Sequence, residues 1–219
     1  MATTDPKYIQ VDSSRFAKSI PSANLADKSD IEIWSMFKKG HEGAFNFIYE
    51  NYFPLLFKYG HRFTKNREVV KDAIQDLFIE LRAGGQNLSD TDSIKYYLFK
   101  ALRWKIQQYL KKRKRFLGED KLPVDFTFEV VDSPEISLIR RQIDEEKKMR
   151  LQKSLQSLSK RQKEAIYYFY YEHLTYAQVA SIMGMSNIKS ARNLIYKAID
   201  SLKKIINLIS LTLLFSLFQ

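Results

Sequence analysis

Apolar residues recur every three or four positions over most of the chain, which is the spacing of a buried helical face. The pattern runs from Ile31 to Arg115 and again from about Ile136 to Lys204. Neither block contains a convincing series of alternating strands. The sequence therefore predicts an all-α fold of two small helical domains joined by a flexible linker.

Proline, glycine and polar residues mark the boundaries between these blocks. Pro6 and Pro21 lie in a segment with little periodicity, and Gly118, Pro123 and Pro134 interrupt the middle of the chain. The predicted units are a disordered N-terminal extension (1–28), a first helical domain (29–115), a linker (116–135), a second helical domain (136–204) and an apolar C-terminal tail (205–219).

The apolar tail is too short to cross a bilayer. Residues 205–218 include Asn207, Ser210 and Thr212, whereas a membrane span needs ~20 predominantly apolar residues. Its apolar side chains would surround a helix on all sides, so we expect the tail to be buried against the protein itself or a partner.

The charge balance favours a polyanionic partner. The chain has 36 Lys and Arg against 25 Asp and Glu, a formal net charge of +11, which is typical of nucleic-acid binding. The absence of cysteine excludes disulfides and thiolate metal sites, and the polar start does not resemble a secretory signal. We therefore expect a cytoplasmic protein.

No pattern of catalytic or metal-binding residues is evident. The three histidines are scattered, no glycine-rich phosphate loop is present, and no ligand set has metal-binding spacing. The sequence predicts a protein that is not an enzyme and that needs no metal, cofactor or small-molecule substrate.

The stretch "YLFKALRWKIQQYLKKRKR" carries the strongest nucleic-acid signal. Nine basic residues and no acid lie between Lys95 and Arg115, so local salt bridges cannot neutralise them. On a helical wheel the core-facing stripe is Ile94, Tyr97, Leu98, Ala101, Leu102 and Tyr109. The candidate DNA-binding face is Tyr96, Lys100, Arg103, Trp104, Gln107 and Lys111. Cations that track phosphates and rings that stack on bases suit partly single-stranded nucleic acid.

Residues 174–204 have the pattern of a helix-turn-helix. Thr175 and Gln178 predict a capping box, Gly184 predicts the turn, and Ser186 is the expected cap of the second helix. On that helix the expected core positions are Ile188, Ala191, Leu194, Ile195, Ala198 and Leu202. The candidate groove-binding residues are Lys189, Ser190, Arg192, Asn193, Tyr196 and Lys197.

The order of "AFNFIYENYFPLLFKYG", "VVKDAIQDLFIELR", "SIKYYLFKALRWKIQQYLKKRKR" and the helix-turn-helix resembles the extracytoplasmic-function (ECF) group of bacterial RNA polymerase sigma factors, of the Bacteroidetes type. The resemblance covers about Ile31 to Lys204. It implies that residues 29–115 form region 2, which binds the polymerase and the minus-ten element. It also implies that residues 136–204 form region 4, which reads the minus-thirty-five element.

The same resemblance implies a polymerase-binding helix at "VVKDAIQDLFIELR". The buried stripe there is Val70, Ala73, Ile74, Leu77 and Leu81, and the opposite face is Asp72, Gln75, Asp76, Ile79 and Arg82. An apolar Ile79 among acids suits coverage by a basic partner helix. The implied partners are core RNA polymerase, through its β′ clamp helices and β flap, and promoter DNA. An anti-sigma factor and a DNA-targeting recruiter are further candidates.

The resemblance also assigns the segment from Gly84 to Ser93 and the helix after it to minus-ten melting. There the chain departs from the family pattern: Trp104 replaces a usual Asn, Gln108 a usual Asp, and Tyr97 a usual Trp. Our hypothesis is that the chain reads the minus-ten element weakly and depends on another DNA-bound factor.

Three functions follow from the sequence. The first is a sigma factor that binds core polymerase, recognises promoters and opens DNA. The second is a sigma-like adaptor that recruits polymerase to sites chosen by a separate DNA-targeting partner. The third is a conventional helix-turn-helix regulator that never binds polymerase.

Overall fold

The structure, a computed structural model, describes residues 25–116 and 155–216, and beyond Lys203 only the backbone. Most of the predicted extension, the linker and the first part of the second domain lie outside the described residues. The helices are α1 (Asp30–Lys38), α2 (Glu42–Gly60), α3 (Arg67–Gly84), α4 (Ile94–Phe116), α5 (Lys160–Ile166), α6 (Tyr176–Ile182) and α7 (Ile188–Ser216). A 3-10 turn (Gly85–Asn87) follows α3, and a π-helical turn (Tyr167–Tyr171) follows α5. No strand occurs in these two described segments, which confirms the all-α prediction.

Local sequence signals set most helix ends. The predicted capping box at Thr175 and Gln178 is present, and Gly184 takes a positive φ of 62° in the turn after α6. The cap predicted at Ser186 is wrong. Asn187 caps α7, because its Oδ1 accepts a hydrogen bond from the backbone N of Ser190 at 2.8 Å.

The first domain packs α1 to α4 around one apolar core. All five members of the predicted α3 stripe are buried. On α4 the predicted positions Ile94, Leu98 and Leu102 are fully buried, and so are Phe99 and Ile106, which the helical wheel does not include. Leu25, the first residue that the structure describes, is also buried, although the sequence placed it in the disordered extension.

The second domain packs α5, α6 and α7 together. Ala191, Ile195 and Ala198 are buried on α7 as predicted. The core position predicted at Ile188 is wrong, because this first residue of α7 lies at the edge of the packing and is 49% exposed.

The predicted tail continues the last helix of the second domain. Helix α7 runs without interruption through residue 204 to Ser216. Within the segments that the structure describes, no helix is both long enough and apolar enough to span a membrane.

The two domains contact each other through α4 and the π-helical turn. The ring of Tyr59 on α2 stacks on Phe99 of α4, with centroids 4.2 Å apart, and also lies 6.0 Å from Tyr168 of the second domain. Phe99 and Ile106 are buried although they lie outside the predicted stripe. Helix α4 is therefore buried on more of its circumference than one helical face.

Candidate polymerase-binding and DNA-binding surfaces

The candidate polymerase-binding residues of α3 share one surface, which we call the α3 outer face (Asp72, Gln75, Asp76, Ile79 and Arg82). Ile79 is 57% exposed, although the other side of the same helix is fully packed. Asp72, Gln75 and Arg82 are also exposed, and Asp76 is half-buried. The structure thus brings together the set that the sequence predicts.

Neighbouring helices hold two members of this face in place. The Tyr109 hydroxyl donates a hydrogen bond to Asp76 Oδ2 at 2.6 Å, and this bond, with partial burial, raises the pKa of Tyr109 to about 12. Arg82 Nη2 lies 2.8 Å from Glu42 Oε1 of α2. Such an exposed pair contributes little stability, but it restricts where the guanidinium points.

An exposed aromatic residue lies beside α3 that the sequence pattern does not single out. Tyr49 on α2 is 42% exposed, and its ring packs edge-on against Phe78 with centroids 4.8 Å apart. The only sequence signal is the helical spacing of Tyr49 and Phe53, whose rings are 5.5 Å apart. Tyr49 extends the apolar part of this side of the domain.

The candidate DNA-binding face of α4 is divided in two. Lys100, Trp104 and Lys111 are exposed, and we call these three residues the open half of α4. Gln107 is half-buried. Tyr96 and Arg103 instead contact the second domain, so the structure does not leave the predicted six on one free surface.

The segment between α3 and α4 is tied to α1. Trp34 Nε1 donates a hydrogen bond to the Ser89 carbonyl at 2.9 Å, and Lys38 Nζ lies 2.5 Å from Asp90 Oδ1. Ser93 caps α4 by accepting a hydrogen bond from the backbone N of Tyr96 at 3.2 Å. The segment therefore has a defined position at the start of α4.

The candidate groove-binding face of α7 is accessible. Of the six predicted residues only Ser190 is half-buried, and its hydroxyl and backbone N both donate to Asn187 Oδ1. The exposed members are Lys189, Arg192, Asn193, Tyr196 and Lys197. This arrangement presents cations and polar groups on one end of an α-helix, which suits entry into a major groove.

One cation of this face, Arg192, lies over an aromatic ring. The Arg192 guanidinium lies 5.3 Å from the centroid of the Tyr176 ring, which stacks on Phe169 at 4.4 Å. Partial burial and a hydrogen bond with Tyr196 raise the pKa of Tyr176 above its ordinary value of 10. The stack links the π-helical turn to the candidate groove-binding residues.

The two domains meet at a polar junction, which comprises Tyr59, Lys95, Tyr96 and Arg103 of the first domain and Glu164, Tyr168, Glu172 and Ser181 of the second. Arg103 Nε donates to Glu164 Oε1 at 2.6 Å, and Nη2 lies 3.4 Å from Oε2. Lys95 Nζ donates to the Glu172 carbonyl at 2.8 Å and lies 3.2 Å from its Oε2. Two cations of α4 are therefore paired with acids far away in the sequence.

Hydroxyl groups complete the junction. The hydroxyls of Tyr59 and Tyr168 are 2.5 Å apart, and Tyr168 donates to Glu164 Oε1 at 3.0 Å. Burial raises the pKa of both tyrosines well above 10, so they remain neutral hydrogen-bonding groups. Tyr96 also donates to Ser181 Oγ at 2.8 Å.

Sequence reasoning missed the junction because its members belong to separate segments. A signal exists in the run "YYFYYEHL", where five aromatic residues precede Glu172. In the π-helical turn Tyr167, Tyr168 and Tyr171 face the first domain, where Arg62 lies 4.1 Å from the Tyr167 ring centroid. Within residues 25–116 and 155–203, no group of three or more acids or histidines could hold a metal ion.

Comparison with known proteins shows the family of the chain. The model of Sigma-70 region 2 matches residues 48–116, and the model of Sigma-70 region 4 matches residues 148–202. Together they span more than half of the 219 residues. No curated protein matches the sequence significantly.

Structural comparison returned two solved complexes, of which the first has a similar fold. One is CnrH in complex with the cytosolic domain of CnrY, with a TM-score of 0.51 and 14% identity over 82% of this chain and 98% of that chain. The other is the sigma factor RpoE of Bartonella quintana in complex with the anti-sigma factor NepR, with a TM-score of 0.49 and 21% identity over 73% of this chain and 94% of that chain.

The two family matches follow the order of the two helical domains along the chain. The pairing of one region 2 with one region 4 agrees with the ECF-type sigma factor that the sequence motifs resemble. The chain therefore belongs to the sigma-70 family of transcription initiation factors.

Proposed function

We propose that this sigma factor binds the β′ clamp helices of core RNA polymerase through the α3 outer face. In this proposal region 2 (29–115) holds the separated minus-ten DNA, and region 4 (136–204) binds the β flap and reads the minus-thirty-five element through α7. The chain acts by binding and positioning, in the bacterial cytoplasm, while the polymerase supplies the chemistry.

The observation that carries the proposal is the exposure of Ile79. Its side chain is 57% exposed and lies between Gln75 and Arg82, while the opposite side of α3 is buried in the core. Protein interfaces commonly have an apolar centre with a polar rim, and Ile79 with its polar neighbours has this arrangement. Asp72 and Asp76 give the surrounding rim the negative charge that a basic partner helix requires.

The test is co-purification of core polymerase with the full chain carrying Ile79→Asp. We expect binding to fall at least tenfold, because a carboxylate would be buried at the centre of the interface. Ile31→Asp is the matched control, since Ile31 on α1 is 60% exposed and lies outside the α3 outer face. Equal loss in both variants, or no loss in Ile79→Asp, would contradict the proposal.

This test also separates the sigma factor from a conventional helix-turn-helix regulator. Such a regulator would retain its DNA binding and show no dependence on Ile79.

The two solved complexes hold an anti-sigma factor or a cytosolic protein domain. We accordingly include an anti-sigma factor among the candidate partners of this chain.

A second candidate function is the sigma-like adaptor that a DNA-targeting recruiter delivers to its site. The observation that favours it is Trp104, which is 55% exposed on the open half of α4, beside an exposed Gln108. An indole ring stacks on any base, whereas an Asn side chain can hydrogen-bond a particular base edge. This face would hold melted DNA while contributing little sequence discrimination.

A further inference from the structure

Tyr109 connects the helix that is proposed to hold DNA with the helix that is proposed to bind the polymerase. Its ring packs against the core of the first domain, as the apolar stripe of α4 predicts. Its hydroxyl reaches the α3 outer face and donates a hydrogen bond to Asp76 Oδ2 at 2.6 Å. A side chain that the sequence assigns to the core therefore ends at the candidate polymerase-binding surface.

The hydroxyl of Tyr109 lies among three carboxylates of α3. Its pKa is raised to about 12, first by the hydrogen bond to Asp76, then by partial burial and by the charges of Asp76, Asp72 and Glu80. These acids recur at every fourth position, so they share the side of α3 that faces α4. At neutral pH the hydroxyl is protonated, and it donates that proton to Asp76.

We propose that Tyr109 is a positioning residue for polymerase binding, because its hydroxyl holds the Asp76 carboxylate with one oxygen free to receive a cation of the polymerase. The inference rests on the proposed function of the α3 outer face, since the orientation of Asp76 matters only if Asp76 contacts the polymerase. It adds a residue of α4 to the groups that build this surface.

The hydrogen bond uses only part of the capacity of Asp76. A carboxylate accepts hydrogen bonds through both oxygens, and Tyr109 donates to Oδ2 alone. The side chain of Asp76 is half-buried, so Oδ1 is left for a partner on the open side of the helix. A side chain that is already fixed loses less conformational entropy when the partner binds.

The next acid of this row, Glu80, is held in a different way. Lys105 of α4 is only 5% exposed, and its ammonium lies 2.6 Å from Glu80 Oε1. The ammonium places a positive charge against Glu80, whereas the neutral phenol of Tyr109 places none against Asp76. A basic partner helix is attracted by negative charge. A neutral donor therefore suits Asp76, because it fixes the carboxylate and leaves the charge for the partner.

The experiment compares the full chain with the full chain carrying Tyr109→Phe. Fluorescence anisotropy of the labelled chain, titrated with core polymerase, gives the Kd of each. Removal of the hydroxyl lets the Asp76 carboxylate rotate. We expect Kd to rise by roughly two- to tenfold, the usual cost of immobilising one side chain at an interface. An unchanged Kd would overturn the proposal, and so would a lower Kd, which would mean that the hydroxyl competes with the polymerase for Asp76.

The first domain offers a matched control. Tyr52 of α2 also donates its hydroxyl to an aspartate, Asp30 Oδ1, at 3.4 Å. Tyr52→Phe removes the same atom from the same kind of pair, but outside the α3 outer face. The Kd of this variant should equal that of wild type. Equal weakening in Tyr52→Phe and Tyr109→Phe would refute the proposal, because loss of any such bond would then suffice.

A double-mutant cycle with Asp76→Ala distinguishes positioning from a general structural role. Once the carboxylate is absent, adding Tyr109→Phe should change Kd by less than about twofold, since the two substitutions act on one interaction. A structural role predicts the same rise of Kd in both backgrounds, together with a lower urea midpoint for Tyr109→Phe. That result would show that the hydroxyl does not act through Asp76.

Failure of this inference differs from failure of the proposed function. Weaker binding in Ile79→Asp together with wild-type binding in Tyr109→Phe would refute the positioning role and retain α3 as the polymerase-binding helix. Wild-type binding in both variants would refute both.

Discussion

At the residue scale, the number of basic residues on α4 exceeds the number that can bind DNA phosphates. Lys105 is 5% exposed, and its ammonium lies 2.6 Å from Glu80 Oε1 of α3. Lys95 and Arg103 are paired as well, with acids of the second domain. Only part of the basic run is therefore available to phosphates in this structure.

Trp104 is an exposed ring in the middle of this helix, and we expect it to stack on an unpaired base. Trp104→Ala should weaken holoenzyme binding to a fork template by ~1 to 3 kcal/mol, the usual value of one base stacked on an aromatic side chain. Trp104→Phe should retain most of the affinity. The measurement is the dissociation constant of the holoenzyme for a template with an unpaired minus-ten strand.

The control for Trp104 is Tyr170→Ala. Tyr170 is similarly exposed, at 52%, but lies on the π-helical turn of region 4. Its removal should leave fork binding unchanged. Wild-type affinity in Trp104→Ala would show that the indole does not contact the melted strand.

At the element scale, three helices approach closely around Gly60. A Cβ atom at this position would lie 2.5 Å from Val70 Cγ1 of α3 and 3.3 Å from Ile106 Cδ1 of α4. Both neighbours are fully buried, so neither can move away without disturbing the core. Packing therefore requires glycine here, at the last residue of α2.

We accordingly expect Gly60→Ala to lower the free energy of unfolding by ~1 to 3 kcal/mol, as overpacked cores generally do. The measurement is the midpoint of urea denaturation. Glu50→Ala, at an exposed position of the same helix, should change it by less than ~0.5 kcal/mol. A double variant with Val70→Ala should recover part of the loss, and equal midpoints for Gly60→Ala and wild type would disprove the clash.

The π-helical turn shows why helical wheels fail locally. A wheel drawn at 100° per residue assumes i to i+4 hydrogen bonds, whereas residues 167–171 are wound more widely. The aromatic run of this turn divides between two surfaces. Tyr168 reaches region 2, and Phe169 stacks under Tyr176 of the helix-turn-helix.

At the scale of the whole molecule, the junction makes the stability of the folded chain dependent on tyrosine ionisation. The folded state raises the pKa of Tyr59 and Tyr168 well above the ordinary value of 10, mainly through burial. Above about pH 10 the unfolded chain releases these protons while the folded chain retains them. The stabilisation is therefore complete below about pH 10 and is lost as the pH rises further.

The double variant Tyr59→Phe and Tyr168→Phe tests this dependence. Its free energy of unfolding should fall less steeply than that of wild type as the pH increases above about 10. Chemical denaturation at several alkaline pH values measures both slopes. Lysine ionisation affects both proteins equally, so parallel slopes would show that the two hydroxyls do not contribute.

The sequence by itself determined the all-α class, the caps at Thr175 and the turn at Gly184, and the buried stripe of α3. It also placed Ile79 on the outer side of that helix. These features depend on interactions within about four residues, or on a single periodic contact with a core, and both leave a direct pattern in the chain.

Only the tertiary structure decided which parts of α4 face solvent. Arg103 and Glu164 are 61 positions apart, and Lys95 and Glu172 are 77 apart, so no local pattern predicts that they meet. Their pairing depends on how the two domains pack against each other. The physical reason is that ion pairs act through distance in space, whereas periodicity records only distance along the chain.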